Sequence, residues 1–333
     1  MRARVRPWPL LAWALATLLA AVAVVAIAKV TGADAIGRAF GHIDPPWIAL
    51  IAGAELLTYP AYMLAYRSIA QVHGHARLSL PIVARLVVAG FGPFTIGGGF
   101  GIDKRALHAI HEDERSARVR VLALGSLEWA VLAPIACAVS IVLLVQGADI
   151  MPSLLWPWAL AVPAGFAAAV WASAPGRALW LRQAWGGRLD LLAQAVEGVG
   201  AIRTLVIHPR QFPGAWFGTA AYWIADIVAF YGGLRTFGLD PDLGKVVIAY
   251  ATGYAATRRS LPLGGAGLTE FLMTYSLYWV REPLAPALAA VLAYRAFNFL
   301  LVAIPALLAH RQLESLLSGG SAAAQSTRPA GEG

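Results

Sequence analysis

Apolar runs of about 20 residues recur along the chain, separated by short basic loops, and two of the runs are broken by glycine. Uninterrupted runs fall at Trp8 to Val30 and at about 46–66, 120–146, 152–174, 213–236 and 285–309. Roughly 20 apolar residues carry a helix across a bilayer, so the pattern predicts about six full spans. Two further apolar stretches, about 80–102 and 243–280, contain Gly97-Gly98-Gly99-Phe100-Gly101 and Gly264-Gly265-Ala266-Gly267. Each glycine weakens a helix and uncovers its own backbone. Hydrocarbon offers no water to a freed N–H or C=O, so broken backbone persists at membrane depth only where protein buries it or it lines a polar cavity. Both stretches are therefore read as broken, re-entrant helical pairs. The fold class is all-α and polytopic, with an inverted repeat as a candidate internal symmetry.

Two segments depart from the spanning pattern. Over 188–206, Leu189, Leu192, Val196, Val199 and Ile202 recur at helical spacing with Asp190, Glu197 and Arg203 on other faces. This predicts a helix lying in the membrane interface; the alternative is a solvated linker, since Gly198 and Gly200 weaken it. From Ser318 onward Gly, Ser, Ala, Thr and Pro dominate, which predicts a disordered tail over 318–333 behind a transmembrane domain of 1–317.

Composition narrows the class further. The chain is 59% hydrophobic and 13% charged, with a mean hydropathy of +0.65, whereas a soluble domain carries about twice that charge fraction. The net charge of +8 sits in loops between apolar runs, where membrane topology requires it, and this argues against nucleic acid as a partner. Cys137 is the only cysteine, so no intramolecular disulfide forms.

Charge also sets the orientation. Arg2, Arg4 and Arg6 precede the first run, which is longer than a signal-peptide core and is read as a retained span with the N-terminus in the cytoplasm. Segment 67–79 carries Arg67, Arg77, His73 and His75. Segment 103–120 carries Lys104, Arg105, Arg115, Arg118 and Arg120, and segment 175–212 carries Arg177, Arg182, Arg188, Arg203 and Arg210. If these are cytoplasmic, the stretch between 67–79 and 103–120 enters and leaves by one face, and that stretch holds the first glycine cluster. The acidic segment 237–244 is placed outside and the tail from His310 inside, so the second broken segment opens the opposite way. An inverted pair about a mid-membrane site is a common transporter plan.

Glu55, Arg85, Glu128, Asp226, Lys245, Glu270 and Arg295 lie within or near the apolar segments. Each charge at mid-bilayer costs roughly 2.5–3.5 kcal/mol, about 20 kcal/mol if all stood alone, which exceeds the usual stability of a fold. They must pair, snorkel or face water. Glu270 and Arg295 adjoin the second glycine break and are candidate site residues; Glu128 and Lys245 are read as structural pairs. Arg258 and Arg259 directly precede that break, and a guanidinium grips a phosphate bidentately. The candidate binding set is thus Arg258, Arg259, Pro262, Gly264, Gly265, Gly267, Glu270 and Arg295, with Gly97, Gly98, Gly99, Asp103 and Arg105 from the first break.

Catalysis finds little support. His108-Ala109-Ile110-His111-Glu112 lacks the metalloprotease spacing and sits in a solvated charge run. Asp103 and Asp226 do not stand in an aspartyl-protease motif, and no histidine lies centrally in a span. The chain is expected not to be an enzyme and to need no cofactor or metal.

The run His75-Ala76-Arg77-Leu78-Ser79-Leu80, and above all Leu261-Pro262-Leu263-Gly264-Gly265-Ala266-Gly267-Leu268-Thr269-Glu270, resemble the lysylphosphatidylglycerol synthase transmembrane family. Arg295, within Ala293-Tyr294-Arg295-Ala296-Phe297-Asn298, matches the arginine of that family's final span. Gly101-Ile102-Asp103-Lys104-Arg105 matches its first motif in character and not in letter. The resemblance implies movement of a phospholipid or lipid-linked headgroup between leaflets of a bacterial cytoplasmic membrane, with an anionic or phosphate-bearing lipid as partner. It also implies that the soluble aminoacyltransferase domain of the long members is missing here, with a second copy or a lipid-modifying enzyme as candidate protein partner. Two other readings stay open: a non-transporting membrane subunit that supports a lipid-modifying or glycosyl-transferring enzyme, and a small-solute secondary transporter.

Overall fold

The structure, a computed structural model, describes residues 25–41, 43–72, 78–91, 99–109, 114–174, 190–254 and 267–326, together with isolated positions such as Gly265. Helices follow one another as α1 (Ala33–Phe40), α2 (Pro45–Ile69), α3 (Leu80–Phe91), α4 (Gly99–Ala109), α5 (Glu114–Val145), α6 (Pro152–Ala172), α7 (Asp190–Ile207), α8 (Pro213–Thr236), α9 (Leu243–Gly253), α10 (Leu268–Trp279) and α11 (Leu284–Ser326). No strand occurs among the described residues. The reading of Trp8 to Val30 as a first span falls largely outside them.

Four of these helices are long and apolar enough to cross a membrane: α2, α5, α6 and α11 over Leu284–Ala306. Proline opens α2, α6 and α8 in the first turn, where its missing N–H leaves no intrahelical bond unmade. α8 has the length of a span but carries Asp226 and several aromatic and glycine residues. Its place explains its composition. It packs along α2 and also meets α5, α9 and α11, so it faces protein more than lipid. The α2–α8 contact is backbone-close, for a Cβ on Gly218 would lie 2.6 Å from the Ala65 nitrogen. Small residues of this kind let helices approach in a membrane, where lipid gives apolar side chains no reason to prefer one another.

The second glycine-bearing stretch is broken, with Tyr254 capping the end of α9 and Gly267 the start of α10; in the first, residues 92–98 lie outside the described residues. α3 and α4 form one pair and α9 and α10 the other, each half-helix too short to cross a bilayer alone. α11 packs against α3 and α10, which places it between the two pairs.

One sequence expectation is corrected, and two further segments gain detail. The segment 103–120, expected as a loop, is mostly helical: Asp103, Lys104 and Arg105 lie in α4, while Arg115, Arg118 and Arg120 lie in the first turns of α5. There they form ion pairs that favour helix, with Glu114 accepting from Lys104 at 2.7 Å and from Arg118 at 2.9 Å. The 188–206 stretch forms the helix α7. It lies on α5 through Ala193, Gln194, Gly198, Ala201 and Leu205, leaving Leu191 and Leu192 exposed. Gly198, taken from sequence as a weakness, is the contact point: a Cβ there would stand 3.0 Å from the Ala123 nitrogen and the Leu122 Cβ. α11 runs on to Ser326.

Candidate functional site

The site forms where α10 begins. Gly265 and Gly267 both have positive φ, 71° and 87°, a region that side chains with a Cβ adopt at a cost. Gly267 is the N-cap of α10, and Glu270 stands at the third helical position. The Glu270 carboxylate reaches back to accept a hydrogen bond from the Gly267 N–H. An otherwise orphaned backbone donor is thereby satisfied, and negative charge is set against the positive end of the helix. The glycine break and the acid three residues later are one device.

The other Glu270 oxygen accepts from Arg295 Nε at 2.7 Å. Both partners are buried, with 6% of Glu270 and 3% of Arg295 exposed. The Arg295 guanidinium lies 4.4 Å from the Phe299 ring centroid and 5.4 Å from that of Tyr254, so aromatic faces fix its plane and favour its charge. From there the polar chain continues. Tyr254 donates to the Asn298 Oδ1, and the Asn298 amide donates to Glu55 Oε2 at 2.9 Å. Tyr59 also donates to Glu55 from one turn along α2, at 3.5 Å. Arg295, Asn298 and Phe299 share one face of α11 because they stand three and four residues apart.

A second feature holds the half-helices at this point. A Cβ on Gly253 would lie 2.5 Å from the Met273 Cα, so α9 ends in direct backbone contact with α10. Tyr254, the residue after Gly253, is thereby brought over Arg295.

Of the sequence candidates, Gly265, Gly267, Glu270 and Arg295 come together here. Gly99 and Asp103 are buried in α4, which also touches α11. Arg105 does not join them: it is exposed, its Nε on the Gly101 carbonyl of its own helix at 3.3 Å. Arg258, Arg259, Pro262, Gly264, Gly97 and Gly98 lie outside the described residues, as do His111 and Glu112 and the side chain of His108.

Sequence reasoning missed Tyr254 and Asn298, and it missed how most of the buried acids are kept. It had the buried charges pair, snorkel or face water, whereas tyrosine hydroxyls serve Asp226 and Glu128. Asp226 accepts from Tyr250 and, at 2.8 Å, from Tyr294, and Glu128 accepts from Tyr62. These tyrosines pack edge-on in a continuous aromatic core with Phe91, Tyr222, Trp223 and Phe230. The available signal was tyrosine recurring within apolar helices, where a hydroxyl without a partner is expensive.

Among the described residues the arrangement is a buried guanidinium, Arg295, held by an acid with a second partner of its own. The family described as the lysylphosphatidylglycerol synthase transmembrane region matches residues 13–306 of the chain. No curated protein matches it.

Proposed function

The chain belongs to the lysylphosphatidylglycerol synthase transmembrane-region family, a membrane domain linked to lipid modification, and from that premise we propose that it moves a lipid with an anionic or phosphate-bearing headgroup between leaflets. The observation that carries this reading is the buried Arg295–Glu270 pair at the start of α10. A headgroup phosphate competes with the Glu270 carboxylate for the guanidinium, because both are planar-edged oxyanions that accept from the same fork. Glu270 loses little by yielding. Its other oxygen stays on the Gly267 N–H, and the positive end of α10 supports its charge. Phe299 and Tyr254 hold Arg295 in place during the exchange. An ordinary buried salt bridge cannot do this, since removing one partner strands the other.

In this reading the chain performs no chemical conversion, and its setting is a bacterial cytoplasmic membrane with the N-terminus inside. A second copy or a lipid-modifying enzyme is the partner it would serve. Purified protein in liposomes, assayed for headgroup accessibility with phosphatidylglycerol, aminoacylated phosphatidylglycerol and phosphatidylcholine, tests it. The expected result is faster crossing of at least one phosphate-bearing lipid, lost in Arg295→Ala. No acceleration of any lipid would leave the non-transporting subunit as the better account, and uptake of a water-soluble solute would favour a solute carrier.

A further inference from the structure

Thr58, Thr219 and Thr236 are buried in their helices, and each donates its hydroxyl to a carbonyl three or four residues back, at 2.6, 2.7 and 2.8 Å. That is the usual way to satisfy a threonine inside a helix. Thr274 in α10 departs from it. It is 0% exposed, and its Oγ1 has no hydrogen-bond partner among the described residues. A buried hydroxyl left so is costly, and such a group calls for a reason. Its position supplies one. At about 100° per residue, Thr274 stands about 40° round α10 from Glu270 and one turn, roughly 5.4 Å, along it. It therefore lies on the face that Glu270 turns to Arg295. One and two turns before Arg295 on α11 stand Val291 and Leu288, buried and apolar, which offer a hydroxyl nothing. Ser276 gives the contrast. Its Oγ also has no partner among the described residues, but it stands about 240° from Glu270, on the side of Met273, which meets α9.

We propose that Thr274 is a further contact residue for the headgroup phosphate, its hydroxyl donating to one phosphate oxygen while the Arg295 guanidinium holds another. The proposal rests on the reading that a phosphate takes the place of the Glu270 carboxylate at Arg295. Both Glu270 oxygens are engaged, one on the Gly267 N–H and one on Arg295, so neither serves the hydroxyl one turn along. A phosphate carries its oxygens tetrahedrally and reaches out of the plane to which a carboxylate is confined. With one oxygen in the guanidinium fork, another extends along the α10 face, and a hydrogen bond on each side of the phosphate spans about one helical turn. The Thr274 hydroxyl thus bonds nothing while Glu270 holds Arg295 and gains a partner when phosphate does. An interaction made in only one of two states is what a ligand uses to favour that state.

The test uses the full chain with Thr274→Val, Thr274→Ser and Ser276→Ala. Thermal unfolding in detergent is one readout and phosphatidylglycerol affinity by native mass spectrometry a second. Movement of phosphatidylglycerol in phosphatidylcholine liposomes is the third. Thr274→Val exchanges an unpartnered hydroxyl for a methyl of like shape, so it should unfold at the wild-type temperature or above. It should nevertheless bind and move phosphatidylglycerol about tenfold less well, the worth of one hydrogen bond to a charged group. Thr274→Ser keeps the donor and should retain most of both, while Ser276→Ala should match wild type. A hydroxyl with a merely structural role gives a lowered unfolding temperature in Thr274→Val. That result overturns the proposal, as does unchanged binding and movement in Thr274→Val or an equal loss in Ser276→Ala. The two readings fail separately. If wild type moves lipid, Arg295→Ala does not, and Thr274→Val matches wild type, the role of Thr274 falls and the lipid-moving reading stands. If wild type moves no lipid, that reading falls and the binding series alone judges Thr274; no binding of phosphatidylglycerol by wild type overturns both.

Discussion

The two half-helix pairs, α3–α4 and α9–α10, share a composition and differ in what they make of it. In the second, the last glycine is the N-cap of α10 and the acid stands three residues on, so Glu270 curls back to the Gly267 N–H and also meets Arg295. In the first, α4 has already begun at Gly99, and Gly101 and Asp103 are interior residues of a helix under way. The acid there follows the last glycine by two residues, not three. One residue is about 100° of helix rotation, enough to take a carboxylate off the cap and onto another face. The basic neighbour differs as well: Arg105 points out, while Arg295 comes in from another helix. The offset from glycine to acid therefore separates the stretch that forms the site from the one that does not.

The largest expected effect breaks the comparison at its centre. Arg295→Ala removes one of the two partners of Glu270, whose other oxygen stays on the Gly267 N–H, and should cost about 1–3 kcal/mol of stability, with lipid movement lost. Glu270→Gln should cost less, since its amide oxygen still accepts from Gly267 N–H, but should slow movement about tenfold or more. Combining the two should recover most of the stability without recovering transport, as judged by thermal unfolding and the liposome assay. If transport returns in the double variant, the pair only ties helices. Asp103→Asn, the matching change in the first pair, should slow movement less than Glu270→Gln.

Glycine substitutions sharpen the contrast. Gly253→Ala drives a methyl into the Met273 backbone and should destabilise by roughly 1–3 kcal/mol. Tyr254→Phe, removing the hydroxyl that Asn298 accepts from, should cost about 0.5–1.5 kcal/mol and loosen Arg295 without abolishing the pair. Gly101→Ala meets nothing within 4 Å and should be neutral or stabilise by up to about 1 kcal/mol, since glycine is a poor helix interior residue. Chemical denaturation of the three variants in one detergent orders them. Orientation is tested separately: cysteines at positions 73 and 111, flanking the first pair, should label from the same face.

Much of this was legible in the sequence. Apolar run length announced the helices, the second glycine cluster announced a break, and Glu270 and Arg295 stood out as candidate site residues beside it, though not as partners of each other. What stayed hidden depends on which helices touch. Glu128 and Tyr62 are far apart in sequence and meet only because α2 and α5 pass close together. α7 was legible as a helix, but not the face it buries. A leucine stripe marks a buried face in water, whereas beside lipid exposed leucines cost nothing and the small-residue face makes the closer contact. The charges of 103–120 look like a loop until their spacing is read as pairs along and between helix ends.

Backbone touching backbone at Gly253 and Met273 has a mechanical meaning. Only the absent side chain of Gly253 lets the Met273 backbone and its Cγ come so near. A methyl at Gly253 would push α9 off α10 and carry Tyr254, the next residue, away from the Arg295 guanidinium it now covers.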